Sequence, residues 1–373
     1  MVDIVRIRLI RPGLWSIAPP GSPTPADADP SLDTAVLEVG GGYLSWSLLA
    51  DQRVPAATLH DLDTAQEWLW ALYGAEIAVA ADEYTGPVDM PARPERPELA
   101  AAIRRLGYAH WAARWWPAST VDGIPALDPA ELDREIAELS EFCDSVVDGS
   151  DAPAEAAEPD PAVASAHGSG LGRAADYALA AGGQPRDSRT ALILERGSAG
   201  WDWRHCPPGV VDASERAVSW ELERVAGGNT LRVRAVAAPG LHGEPPEHLR
   251  PRALVRTSAG TRGAALALNG DTWTAAVPDS GETVTGVEIY VPGVGPSAPG
   301  GSDPSPDPDP RPADPAADAR QRDRIRELAH ARLRRAGPTA VALAYAAGEP
   351  AAGLADIELL RAEIAAAEAD SDF

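Results

Sequence analysis

Two stretches of this 373-residue chain cannot contribute to a folded core. Residues 148–188 and 295–316 consist mainly of Ala, Pro, Gly and acidic residues and are poor in large apolar side chains. Because such segments bury too little apolar surface to offset the loss of backbone entropy, we predict an acidic flexible linker and a Pro/Asp-rich linker, both disordered. The linkers leave three parts to fold: residues 1–147, 189–294 and 317–373.

The charge balance and the lack of one residue type exclude several function classes. The chain carries 32 basic and 56 acidic residues, a formal net charge of −24, and every basic residue is Arg. Without Lys there is no P-loop lysine and no Schiff-base lysine, which excludes ordinary NTPases and pyridoxal enzymes. Because a strongly acidic chain repels phosphate backbones, we do not expect nucleic acid as a partner.

No segment of the sequence predicts export or membrane insertion. Residues 1–12 alternate as a strand does, and the longest apolar run, residues 339–347, is too short to span a bilayer. Cys143 and Cys206 cannot form a disulfide framework or a four-cysteine zinc site. We therefore predict a cytoplasmic protein without a cofactor, a metal or a membrane partner.

Residues 1–147 predict an α+β domain. Alternating residues indicate three strands, at 4–9, 34–39 and 43–49. Three helices follow. The first ends at Gly74, and the second begins at Pro97 and ends before Pro117. The third begins after Asp128, and its apolar stripe needs a partner face, for which the second helix is the nearest candidate.

Residues 189–294 predict an all-β domain. Asn269-Gly270 joins two alternating runs, which is a strong hairpin signal. Seven short strands in about 100 residues favour a sandwich of the immunoglobulin type. The predicted strands are 190–195, 217–225, 230–237, 251–257, 262–268, 271–277 and 283–291.

Residues 317–373 predict two helices, roughly 318–336 and 354–370. The first is rich in Arg and the second is acidic, and each has an apolar stripe. We predict that they form an antiparallel helical hairpin. The whole chain is then a multidomain α+β protein, in which an α+β domain, a β-sandwich and a helical hairpin are joined by linkers.

Two clusters of Trp with charged residues are the candidate interface. At the end of the second helix, Tyr108, Trp111 and Trp115 share a face opposite the aliphatic stripe, so they serve either as core or as a partner surface. Trp and Arg are the usual anchors of protein interfaces. The residues assigned to contact are Trp111, Arg114, Trp115, Trp116, Trp201, Asp202, Trp203, Arg204 and His205.

The second cluster also has a chemical interpretation. Asp202, His205 and Cys206 are residue types used in catalytic and metal sites. Neighbours in an extended segment point to opposite faces, so His205 and Cys206 cannot serve as a dyad by themselves. With His242 and His248 they total four zinc ligands, but the spacing matches no zinc motif, and we assign neither a metal nor a catalytic residue.

Two stretches resemble a known group of proteins. The first is GYAHWAARWWPAS at 107–119 with IPALD at 124–128, and the second is DWRHCPPGVVD at 202–212, continuing to Trp220. They resemble accessory proteins of the ternary conflict systems of high-GC bacteria, which combine a MoxR-type AAA+ ATPase, a von Willebrand factor A protein and β-propeller or accessory partners. The resemblance implies a non-catalytic component that works beside such an ATPase, and it supplies no catalytic residue.

Three hypotheses of function follow. The leading one is a non-catalytic interaction or adaptor protein, with a MoxR-type ATPase or a von Willebrand factor A protein as the implied partner. The first alternative is a hydrolase with a site between the first domain and the sandwich, using His205, Asp202 or His110. The second is a carbohydrate-binding sandwich, in which Trp273 or Trp201 would be exposed as a stacking platform.

Overall fold

A computed structural model describes most of the chain outside the two predicted linkers. Both linkers lie outside the described residues except at the ends of the second, so their predicted disorder stays a prediction. The described residues are 3–23, 31–50, 52–147, 192–225, 228–241, 243, 245–258, 260–279, 283–295, 315–337 and 357–371.

The first part of the chain forms a six-stranded antiparallel sheet. Alternation places Val5 and Ile7 in the core while Ile4 and Arg6 stay exposed, so one face of the sheet is buried. Three of the six strands were not predicted. The strands are β1 (Asp3–Arg11), β2 (Leu14–Ala18), β3 (Thr34–Val39), β4 (Gly42–Ser47), β5 (Ala56–Leu59) and β6 (Val88–Ala92). Their spatial order is β3-β4-β5-β2-β1-β6.

Four helices belong to this part: α1 (Leu62–Tyr73), α2 (Ala75–Asp82), α3 (Pro97–Trp115) and α4 (Pro129–Val147). The predicted helix stop at Gly74 and the start at Pro97 are confirmed. Helix α3 contacts both α4 and β3. Gly107 allows the close approach of α3 to the sheet, because a Cβ atom there would lie 2.2 Å from the Trp46 ring.

The middle of the chain forms two further antiparallel sheets, one of five strands and one of three. The single strand predicted at 262–268 is instead two strands, which join different sheets on either side of the buried Leu266. A short 3-10 helix spans Glu247–Leu249. The strands are β7 (Leu192–Ala199), β8 (Val218–Val225), β9 (Gly228–Val236), β10 (Arg252–Thr257), β11 (Gly260–Ala265), β12 (Ala267–Asn269), β13 (Thr272–Asp279) and β14 (Val284–Tyr290). Their spatial orders are β12-β13-β9-β8-β7 and β11-β10-β14.

The last part contains α5 (Pro315–Ala336) and α6 (Arg361–Ser371). Helix α6 begins later than predicted, because the carboxylate of Glu363 accepts a hydrogen bond from the Leu360 amide and caps the first turn. The two helices contact each other, and both also pack on the rest of the molecule. Helix α5 reaches Glu215 through Arg322 at 2.6 Å, and α6 reaches Glu138 through Arg361 at 2.6 Å.

The buried carboxylate of Asp212 joins the first part of the chain to the middle part. It accepts hydrogen bonds from the Ser119 hydroxyl at 2.7 Å, from the Thr120 amide at 2.7 Å and from the Ser214 amide at 3.0 Å. A backbone hydrogen bond from the Ala213 amide to the Ala118 carbonyl runs beside it. These contacts fix the loop after α3 against the segment before β8.

Within the described residues, six α-helices and three antiparallel sheets form, so the chain is an α+β protein. None of the helices in this described portion combines the length and the apolar character needed to cross a membrane.

Candidate functional site

Four of the predicted interface indoles lie inside the protein. Trp111 donates its Nε1–H to the Leu32 carbonyl at 2.8 Å, and Trp116 donates to the Pro125 carbonyl at 2.9 Å. Trp201 and Trp203 are also buried, and their rings lie 6.3 Å apart. A partner protein cannot reach any of the four without opening the core, so their role in this structure is packing.

The remaining predicted contact residues are at least partly accessible. Arg114 is exposed on α3, and its guanidinium lies 5.3 Å from the ring centroid of the partly buried Trp115. Asp202, Arg204 and His205 are each partly exposed in the turn before the Pro207-Pro208 pair. Of the nine assigned residues, these five keep a surface that a ligand or a partner could contact.

Hydrogen bonds within residues 202–206 fix the shape of this turn. The side chain of Asp202 accepts from the Arg204 amide at 2.9 Å, and its carbonyl accepts from the His205 amide at 3.0 Å. Asp favours such turns because its carboxylate reaches its own backbone two residues on. The Arg204 guanidinium then pairs with Asp318 of α5 at 3.2 Å. The turn is thereby held against both the middle sheets and the last part of the chain.

His205 of the turn forms a close contact with a second titratable group, Glu288 of β14. The Nδ1 atom of His205 lies 2.6 Å from Glu288 Oε1, while Arg256 binds the other carboxylate oxygen at 2.5 Å. The hydrogen bond to Glu288 raises the pKa of His205 above its usual value, against the opposite effect of partial burial. The same hydrogen bond, with Arg256, lowers the pKa of Glu288. The pair is therefore an imidazolium–carboxylate contact over much of the acidic range.

The cluster offers no nucleophile. Cys206 is buried, and burial raises the pKa of its thiol to about 12, so it is protonated at neutral pH and poorly reactive. His110, named in the hydrolase hypothesis, is exposed on α3, where partial burial lowers its pKa. The arrangement at His205 holds the turn in place through charge and hydrogen bonds.

The residues named for sugar stacking and for zinc binding are not arranged for either role. Trp273 is fully buried and donates to the Val210 carbonyl at 2.9 Å, so neither it nor Trp201 is a platform on which a sugar could stack. Of the zinc candidates, His242 lies outside the described residues and His248 is exposed. Across the described ranges, no group of three or more His, Cys, Asp or Glu side chains is placed to hold a metal ion.

The edge strand β7 has a surface that the sequence reasoning missed. It is the last strand of the five-stranded sheet and pairs with β8 alone among the described strands. Leu192, Ile193 and Leu194 are 59%, 49% and 39% exposed. A bulge between Ile193 and Glu195 breaks the alternation there. The sequence signal for this surface is the run of three apolar residues. Because neighbours in a strand face opposite sides, at least one of the three must lie outside the core.

Comparison with models of protein families, with curated proteins and with solved structures finds no match to this chain.

Proposed function

We propose that this chain is a non-catalytic protein-binding component, and that the contact is made at the open edge of β7. The carrying observation is that this edge strand exposes three consecutive large apolar side chains beside backbone groups that no other described strand pairs. Exposed strand edges bind other chains by strand addition, in which main-chain hydrogen bonds supply affinity and side chains supply specificity.

The chemistry of β7 defines the kind of partner. Leu192–Leu194 carry no charge, whereas the next two residues, Glu195 and Arg196, carry opposite charges. An extended partner segment with apolar residues would cover the first three, and one with an acid–base pair would match the other two. We therefore expect the occupant to be an extended apolar strand of another protein.

A charge placed on the apolar edge tests this proposal. We would capture partners from the native cell with the wild-type chain and with Ile193→Arg and Leu194→Arg variants, and identify them by mass spectrometry. A partner held by β7 should be lost from both variants, because an arginine would have to be desolvated in the new sheet. Both melting curves should stay close to wild type, because exposed substitutions change stability by less than about 0.5 kcal/mol.

Val79→Arg is the matched control. Val79 is 56% exposed on α2, so the variant adds the same charge to an exposed apolar position in a different part of the molecule. Partners should be retained by this variant. The same proteins captured by all four chains would mean that β7 is not the contact surface.

The two middle sheets also bear on the fold of the proposed binding domain. We propose that the two middle sheets face each other as an immunoglobulin-like sandwich, which is supported by the buried residues on both: Ala253, Val255 and Ile289 on one and Val218, Val233 and Trp273 on the other. A cytoplasmic location, the three-domain division and a MoxR-type ATPase or von Willebrand factor A partner remain predictions from the sequence.

A further inference from the structure

The six-stranded sheet has an outer face, opposite the face that packs in the core. Directly opposite residues on neighbouring strands share a face, so the cross-strand pairs form rows across the sheet. The row of Ile7, Ile17, Ala57, Leu44 and Leu37 lies in the core. The adjacent row is one residue away on each strand, so its side chains lie on the outer face. It consists of Arg8, Ser16, Thr58, Tyr43 and Glu38.

Two neighbouring hydroxyls at the centre of this outer row have no hydrogen-bond partner. Ser16 is fully buried and Thr58 is 6% exposed, yet neither Ser16 Oγ nor Thr58 Oγ1 is hydrogen-bonded to any residue that the structure describes. The two residues are directly opposite on β2 and β5, a position in which Cβ atoms lie about 4.5–5.5 Å apart. Because an unpaired buried hydroxyl costs stability, two of them side by side point to a bound group as their shared partner.

An exposed side chain flanks the hydroxyl pair at each end. Arg8 is the cross-strand partner of Ser16, and Tyr43, which is 37% exposed, is the cross-strand partner of Thr58. Arg8 is exposed and forms no ion pair with the residues of the described ranges. A guanidinium therefore stands beside the two hydroxyls, on the same face of the sheet.

A β-bulge brings a second guanidinium to this face. Strict alternation along β1 would turn Arg11 toward the core face. The bulge between Leu9 and Arg11 shifts the register, so that Arg11 lies opposite Leu14, which shares a face of β2 with Ser16. Arg11 is exposed, so the outer face of β1 presents two arginines, Arg8 and Arg11, on one side of the hydroxyl pair.

The segment that follows β2 covers the other side of the row. Ser45, two residues from Tyr43 on β4, donates its hydroxyl to the Pro23 carbonyl at 2.7 Å, so residues 19–23 reach this face of the sheet. The Ser22 amide donates to the Pro19 carbonyl within the same segment. The arginine side is therefore the side from which a ligand would approach the two hydroxyls.

We propose that Arg8, Ser16 and Thr58 bind the oxyanion of a small molecule, either a phosphate or a carboxylate. The two hydroxyls donate to its oxygens, the Arg8 guanidinium donates charge-assisted hydrogen bonds, and Arg11 adds attraction along the strand. The hydroxyls are closed to solvent in this conformation, so the exposed side chains of Arg8 and Tyr43 move aside as the ligand enters. This site lies on the first sheet and is separate from the β7 edge.

Titration calorimetry at low ionic strength tests the site, with inorganic phosphate and succinate as the two probes. Saturable binding of at least one probe is expected, and the tighter one identifies the oxyanion. Arg8→Gln should weaken binding by roughly tenfold or more, because it removes charge-assisted hydrogen bonds. Ser16→Ala and Thr58→Val should each weaken it by roughly threefold to tenfold, the range expected for one hydrogen bond.

Thermal unfolding without a probe separates binding from folding. Ser16→Ala and Thr58→Val should melt at or above the wild-type temperature, because each removes a buried hydroxyl that no described residue satisfies. A hydroxyl that were satisfied within the fold would instead make its variant melt at a lower temperature.

Arg196→Gln is the control. Arg196 is exposed on β7 opposite Glu221, so this variant removes an exposed strand arginine from a different sheet. Its affinity for the probe should equal that of the wild-type protein. The proposal is overturned if neither probe saturates the wild-type protein at millimolar concentration, or if the three site variants bind as tightly as Arg196→Gln does. Melting of Ser16→Ala and Thr58→Val below wild type would also overturn it.

Discussion

Helices α3 and α5 both bury side chains against the rest of the molecule, but opposite kinds of contact hold them. The buried side chains of α3 are mostly apolar, with Leu99, Ile103 and Leu106 on one side and the stacked rings of Tyr108 and Trp111 on the other. The buried face of α5 includes the arginines at 322, 326 and 332 together with Gln321. A regular apolar stripe buries itself on any suitable apolar surface, whereas a charged face needs particular partners.

Each buried arginine of α5 has an acidic partner from another part of the sequence. Arg322 and Arg326 bind Glu215 at 2.6 and 3.3 Å. Arg332 binds Glu363 at 2.6 Å and lies 4.3 Å from the ring centroid of Tyr108, whose hydroxyl donates to the same carboxylate at 2.6 Å. Desolvation offsets much of the attraction in such pairs, so their main contribution is to specify where α5 docks.

The largest expected effect comes from leaving one of these charges without its partner. Glu363→Ala should lower the free energy of unfolding by about 3–5 kcal/mol, because Arg332 would remain buried as an unpaired charge. Urea unfolding measures the loss. Arg332→Leu with Glu363→Leu should cost less than the single change, although Tyr108 then loses its acceptor. A loss below about 1 kcal/mol for the single variant would show that the pair is not desolvated.

An intermediate effect is expected at Trp116, the residue that follows α3 and continues its apolar packing. Trp116→Ala should lower stability by about 3 kcal/mol, because it leaves a cavity and removes the hydrogen bond to Pro125. Trp115→Ala should cost clearly less, since that ring is only partly buried. Thermal unfolding of the two variants compares them directly. Equal losses would mean that the boundary of the core does not run between these neighbours.

The smallest expected effect is the pH dependence of the His205–Glu288 pair. Because the folded pKa of His205 is raised, its contribution is complete below the unfolded value of about 6.5 and is lost as pH rises through the folded pKa. Between pH 6 and pH 8.5, the free energy of unfolding should therefore fall further in wild type than in His205→Gln. The difference should stay below about 1 kcal/mol, since the imidazole is partly exposed. Urea unfolding at both pH values tests this. Parallel losses in the two proteins would contradict it.

Acid should weaken the same pair by protonating Glu288. The lowered pKa of Glu288 gives a contribution that is present above its unfolded value and is lost as pH falls through the folded one. The pair therefore stabilises the turn most at pH values between the unfolded pKa of Glu288 and the unfolded pKa of His205. Near neutrality the turn should contribute pH sensitivity through His205, and α3 should contribute through His110, whose pKa is lowered by partial burial.

Local signals in the sequence predicted much of the secondary structure. Gly74 and Pro97 mark helix ends because their backbone chemistry acts within one turn, and Asn269-Gly270 forms its hairpin for the same reason. Of the three strands that were missed, β5 is mostly small residues and β6 contains a proline, so neither gives a clear strand pattern. Leu266 divides one predicted strand in two through tertiary packing that no short window contains.

The candidate functional surfaces were harder to predict, because they depend on distant pairings. The Trp111 face was open to two interpretations, and contact with the Leu32 carbonyl decides in favour of core. No periodicity could show that Arg322 meets Glu215, or that Ser16 lies opposite Thr58. The apolar run at β7 was visible in the sequence, but its exposure follows from the position of that strand at the sheet edge.

The junction at Asp212 has a consequence for the integrity of the molecule. Its carboxylate holds the loop after α3, while Arg322 and Arg361 tie the final helices to Glu215 and Glu138, one on each side of residues 148–188. After a single proteolytic cut within 148–188, the two fragments should therefore stay associated and elute together in gel filtration. Only denaturant would separate them, so the integrity of this protein depends on more than the continuity of its backbone.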